Sequence, residues 1–181
     1  GYTKGYYFAP KSAYSYGLDP AREFRDLVKA LHRANIECIM EFYFPRTCSP
    51  LLALSALRHW SLCYQVDGFH LVGEGVPRKL LAEDPLLSKT KLLFHDAGGN
   101  GYQNLAEYNE GFQRDMRRWL KGDEDCLGAT IARMRRNPDT HAVINYMASQ
   151  DGFTLQDLVS FDKKHNEANR EDNQDGVSYN H

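Results

Sequence analysis

The sequence predicts an α/β fold built on parallel strands. Two observations carry that expectation. Short apolar runs rich in β-branched and aromatic residues alternate with longer stretches whose apolar residues recur at helical spacing. Each run is also separated from the next by a helix-length connection, as parallel strands require. Such crossovers are right-handed, so successive strands wrap in one sense, as in an incomplete barrel.

Asp19-Pro20 marks a helix start, with Asp as cap and Pro in the first turn. Phe24, Leu27, Val28 and Leu31 follow at helical spacing, and Ala34-Asn35 ends the helix. Residues 36–44 predict a strand stopped by Pro45. Ser49-Pro50 repeats the cap-then-proline signal, and Ala53, Leu57, Trp60 and Tyr64 give a second apolar stripe. Residues 67–72 predict a strand, 76–84 a short helix and 90–95 a strand. Tyr108, Phe112, Met116 and Trp119 mark a long helix closed by Gly122. Residues 125–136 predict a further helix, basic towards its end, then 141–148 a strand and 155–161 a short helix. From residue 162 the chain is polar, and composition predicts a mobile loop or tail over 162–181 behind a barrel-type domain over 1–161.

The 181 residues suffice for one domain with a useful core, and 42% hydrophobic with 25% charged residues is ordinary for a soluble globular chain. A net charge of -2 with no basic face argues against nucleic acid as a partner. No apolar run approaches the length of a membrane span and no leader is visible, so a soluble, cytoplasmic protein without membrane contact is expected. Cys38, Cys48, Cys63 and Cys126 form no C-x-x-C pair, and Cys38 and Cys63 read as small core residues. His59, His141 and His181 have no ligand-spaced companions, so no metal is expected. The eleven Tyr suit a sugar site, where rings stack on sugar faces, but equally suit half-buried packing.

Five blocks stand out: Gly1-Tyr2 with Phe8-Ala9-Pro10 and Tyr14-Ser15; Glu23-Phe24, Val28-Lys29-Ala30-Leu31-His32 and Ile36-Glu37 within Asp19 to Thr47; Val66 to Phe69; Ala82-Glu83-Asp84-Pro85 with Thr90-Lys91-Leu92 and Asp96-Ala97-Gly98-Gly99; and Asp151 to Leu155, Asp157-Leu158-Val159-Ser160 and Lys164-His165-Asn166-Glu167-Ala168-Asn169. Together they resemble the isoamylase and glycogen-debranching branch of the α-amylase superfamily (glycoside hydrolase family 13). The resemblance implies a (β/α)8 TIM-type barrel with its site at the carboxyl ends of the strands. Here the barrel would be incomplete, its first strand preceding Gly1 and its eighth following His181. It further implies cleavage of α-1,6 branches in a glycogen-like glucan, with retention and no cofactor.

Retaining hydrolysis needs two carboxyl groups flanking the scissile bond, one attacking carbon and one protonating the leaving oxygen. By the resemblance, Val72 stands at the nucleophile position and His70 at that of a supporting arginine. His95 stands at the acid position, although sliding the gap brings Asp96 nearer. A third carboxylate is kept as Asp151, preceded by Gln150 in place of histidine. Glu41 replaces an aspartate, and Pro45-Arg46 an Asn-His pair. Tyr2, His70, Gln150, Arg46, Glu41, His165 and Asn166 are the candidate substrate-binding residues, and Asp151, His95 and Val72 occupy the catalytic positions. Glu74, two residues or roughly 7 Å past Val72, is the nearest candidate for a relocated carboxylate. Between Thr47 and Pro50 the family's long excursion over the site is nearly gone.

Three alternatives follow. The chain is a catalytically impaired domain that binds α-glucan or serves an active debranching partner or a second copy of itself. It is an active α-1,6-glucosidase whose remaining parts lie outside this chain. Or it is a structural remnant without ligand.

Overall fold

The structure is a computed structural model describing residues 6–95, 102, 104–149, 152–169 and 172–180, without the side chain of Asn169. It contains helices α1 (Pro20–Arg33), α2 (Pro50–Tyr64), α3 (Arg78–Ala82), α4 (Glu110–Lys121), α5 (Leu127–Met134) and α6 (Leu155–Ser160). The strands are β1 (Ile39–Tyr43), β2 (Gly68–Val72), β3 (Lys91–Phe94), β4 (Leu105–Tyr108) and β5 (Ala142–Ile144). They form a five-stranded sheet in the order β1-β2-β3-β4-β5, and the first three ladders are parallel. Sequential parallel strands, with helices between β1 and β2 and between β2 and β3, match a run of (β/α) barrel units.

The chain divides into two compact units, Gly1–Glu107 with Asp139–Ala142, and Tyr108–Pro138 with Val143–His181. In the first, alternation along the strands fixes what each face carries. Phe42 and Phe44, with Phe69, Leu71, Leu92 and Phe94, join Ala53, Leu57, Trp60 and Tyr64 in one buried cluster, and the partly buried Met40 packs against it. Phe42 anchors it, its ring 6.0 Å from Trp60 and 5.9 Å from Phe69. The α2 stripe is buried as its spacing predicts. In α1 only Val28 is buried and Leu27 is half exposed, because the helix touches the core along one narrow line.

Carboxylates staple the elements together. Asp19 caps α1 by accepting from the Arg22 N–H at 2.9 Å. Ser49 makes no side-chain cap, so α2 starts on Pro50 alone. Asp67, just before β2, accepts from the Cys38 N–H at 2.7 Å and lies 2.9 Å from His32 Nε2, tying the end of α1 to the entry of β1. Burial raises its carboxyl, but the Cys38 and His32 bonds outweigh that and hold it below the ordinary range. Asp84 is 5% exposed and takes Arg58 on one oxygen and the N–H groups of Leu86 and Leu87, both 3.1 Å away, on the other.

In the second unit, α4 and α5 are clamped by Asp115, whose oxygens take Arg114 at 3.0 Å and Arg133 at 3.2 Å. Gly122 closes α4 at φ 91°, as predicted. In the polar stretch from residue 162, Lys164 and Asn166 are buried while most other described residues are exposed.

Several boundaries depart from expectation. The strand expected over 36–44 occupies only Ile39–Tyr43, and that over 141–148 only Ala142–Ile144, because Asn145 leaves the ladder to accept from the Asn109 side chain at 2.9 Å. Leu105–Tyr108 is a strand where the sequence suggested only the approach to a helix; it pairs with β3, which no local signal announces. Cys63 is exposed and Cys38 half-buried rather than core; Cys126 is the buried cysteine. None of the four is in a disulfide. Among the described residues no helix is long and apolar enough to cross a membrane.

Candidate functional site at the strand ends

Register brings the candidate residues of the first unit onto the sheet face turned away from α2. Glu41 pairs with His70 across β1 and β2, His70 with Leu93 across β2 and β3, and Tyr43 with Val72 one step nearer the carboxyl end. Glu41 Oε2 lies 2.6 Å from His70 Nδ1, and the His70 and His95 ring centroids are 5.2 Å apart. The side chains of Glu41 and His70 are 22% and 14% exposed. The three form a line of carboxylate, imidazole and imidazole. With the Nδ1 proton donated to Glu41, His70 is held in one orientation. Such a line can bind hydroxyls and shuttle protons, but its carboxylate is engaged.

Val72 sits one strand step beyond this line. Glu41 is two residues short of Tyr43, the register partner of Val72, which puts it roughly 7 Å back along the strands. The Val72 level therefore carries an isopropyl group, and Glu41 does not fill its place. The turn after Val72 is rigidly seated. The Phe44 N–H donates to the Val72 carbonyl at 2.8 Å, and the Gly75 N–H to the Phe44 carbonyl at 2.9 Å. Gly73 has φ 102°, and a Cβ there would come within 2.3 Å of the Phe44 carbonyl oxygen. Glu74 lies exposed in this turn, and Arg46 is exposed beyond β1.

Burial pushes the Cys48 thiol above the ordinary value. Among the described residues no group of three or more His, Cys, Asp or Glu is arranged to hold a metal ion.

In the second unit, Asn166 is 9% exposed and donates to the Gly152 carbonyl and to Asp175 Oδ2. His165 is exposed, its ring 4.2 Å from that of Phe161. Tyr2, Asp96, Gln150 and Asp151 lie outside the described residues.

Two polar features escaped sequence reasoning. Glu107 lies 3.2 Å from His141 Nε2, with both side chains at most 5% exposed. Its register partner is Phe94, so it sits on the other face from Glu41 and His70. A glutamate inside the apolar run Leu105-Ala106-Glu107-Tyr108 was the available signal. Asn109 is 1% exposed; its N–H donates to the Ile144 carbonyl at 3.0 Å and its side chain to that of Asn145.

No protein-family model matches the chain. Individual relatives do. A glycogen debranching enzyme of Serratia proteamaculans is 33% identical over 96% of this chain and 38% of its own length. A glycogen operon protein GlgX homolog of Mycobacterium bovis is 29% identical over 99% of this chain and 36% of its own length. Isoamylase 3, chloroplastic, of Oryza sativa is 29% identical over 99% of this chain and 34% of its own length. The chain thus spans less than two-fifths of these relatives. The first alignment runs over 249 positions against a chain of 181 residues, so at least 68 positions of the relative have no counterpart here. Because the likeness runs through nearly the whole chain, the chain belongs to the isoamylase and glycogen-debranching branch of the α-amylase superfamily.

Proposed function

We propose that this chain is a debranching-type domain that binds α-1,6-branched α-glucan and has lost the covalent chemistry of cleavage. The observation that carries the reading is Val72 at the strand end, one step beyond a Glu41 already bonded to His70. Retention requires a carboxylate within reach of the anomeric carbon and a second carboxyl group about 5–5.5 Å from it. A hydrocarbon cannot form the glycosyl bond. An imidazole at His95 can donate a proton, but without an attacking group that gains little. The glucan follows from the relatives named for glycogen debranching, and from the polar line of Glu41, His70 and His95, which suits sugar hydroxyls. Asp151, Gln150, Tyr2, Arg46, His165 and Asn166 complete the proposed contacts. The role is that of a glucan-binding domain or of a partner to an active debranching enzyme. Four cysteines outside any disulfide suit a cytoplasmic setting.

Affinity electrophoresis in gels containing glycogen tests the binding. Retardation relative to a glycogen-free gel is expected, and unchanged migration would leave a structural remnant. A second reading, an active α-1,6-glucosidase completed by residues outside this chain, is favoured by the short span of the relatives that is covered. Release of reducing ends from glycogen separates the two.

A further inference from the structure

A buried guanidinium in the second unit lacks a counter-charge. Arg117, on α4, is 6% exposed and has no carboxylate partner among the described residues. Its Nε donates to the Met147 carbonyl at 2.9 Å, and its Nη2 donates to the same oxygen. A guanidinium carries five N–H donors and stays charged at any ordinary pH. Among the described residues the remaining donors of Arg117 have no protein acceptor. Burial disfavours the charge and holds the group below the ordinary arginine value. A cation kept out of water in this way is costly until an anion meets it.

Arg117 lines a cavity of about 570 Å³ whose walls come from α4 and α6. That size is typical of a small-molecule site. Much of the lining is apolar and open: Leu120, Leu155, Val159 and Phe161 are 63%, 67%, 80% and 46% exposed. No residue of α6 is buried. Exposed apolar side chains gathered round one cavity mark a binding surface. The charged lining residues are Arg117, Lys121 and Asp162, two cations and one anion.

We propose that this cavity binds an aliphatic monocarboxylate, with its head group on Arg117 and its chain along Leu120, Leu155, Leu158, Val159 and Phe161. Two N–H groups of a guanidinium match the two oxygens of a carboxylate. One negative charge balances the net charge of the lining, whereas a phosphate dianion exceeds it. Methylene groups laid on the apolar wall supply the affinity. The site is independent of the glucan reading, because none of its residues is among the proposed glucan contacts.

The test is calorimetric titration of the complete chain with hexanoate, octanoate, decanoate and octanol. Octanoate is expected to bind, with Kd falling roughly fourfold for each added methylene. Octanol, which has the chain without the charge, should bind at least about tenfold more weakly. Arg117→Met removes the charge and should weaken octanoate at least about tenfold while leaving octanol within about twofold. Val159→Asp changes a side chain that is 80% exposed, so the fold is retained, and it brings a negative charge to the apolar wall. It should weaken octanoate about tenfold, and it decides the matter if Arg117→Met fails to fold. Octanol binding as tightly as octanoate would mark an unspecific apolar groove and overturn the proposal. An octanoate Kd unchanged by Val159→Asp, or no heat from decanoate at about 1 mM, would overturn it as well.

Discussion

The proposed loss of cleavage rests on one residue, the hydrocarbon Val72 at the end of β2. The sequence alone places Val72 and His70 in one strand, since both lie in the run Val66-Asp67-Gly68-Phe69-His70-Leu71-Val72. What it could not supply is the bond between His70 and Glu41, which are 29 positions apart and meet only through strand register. That bond makes a prediction. Glu41→Gln should lower unfolding stability by about 1–3 kcal/mol in denaturant titration, because a buried imidazole loses a charged partner. No change would mean that the pair contributes nothing to the fold. Gly73 gives a second. With φ 102° and a Cβ position 2.3 Å from the Phe44 carbonyl oxygen, Gly73→Ala should cost at least about 1–2 kcal/mol in the same assay. A neutral Gly73→Ala would show that the turn is not seated against β1.

At the scale of elements, legibility followed locality. Helices α1 and α2 announced themselves through Asp19-Pro20, Pro50 and their apolar spacing, and their bounds were readable within a residue or so. Strand β4 did not. Leu105–Tyr108 is four residues long, and Tyr108 fits the helical spacing of Phe112 and Met116, so only pairing with β3 decides its state. The ion pair between Lys164 and Asp175 was hidden for a similar reason: eleven positions separate its members and no period links them. Asp67 joins α1, β1 and β2, and its acidity carries a pH prediction. Its folded carboxyl lies below the ordinary value, as do those of Asp84 and Asp115. Their contribution is therefore complete above about pH 4 and is lost as pH falls through the folded values. Thermal unfolding should show stability falling below about pH 4, with a shallower fall in Asp67→Asn. An identical slope in Asp67→Asn would contradict the staple. Within the core, Phe69→Ala should cost about 3–5 kcal/mol, since its buried ring contacts Phe42 at the centre of the α2 cluster.

At the scale of the whole molecule, strands alternate with helices in a chain whose alignment to a relative runs over more positions than the chain has residues. At least 68 aligned positions of the Serratia proteamaculans enzyme have no counterpart here, and residues 44–49 connect β1 to α2. The core joins adjacent elements, with α2 residues and residues of β1, β2 and β3 in one buried cluster. The family was readable from the motif blocks, and the placement of Glu41, His70 and Val72 on one face followed from strand period. The burial of Lys164 and Asn166 was not, because charge composition says nothing of partners distant in sequence. The most direct test of a site that binds without cleaving is the release of reducing ends from glycogen by the complete chain. We expect release indistinguishable from buffer. Turnover far above buffer, abolished by Glu41→Gln or by a change at Glu74, would show that a working carboxylate remains and would contradict the loss of covalent chemistry.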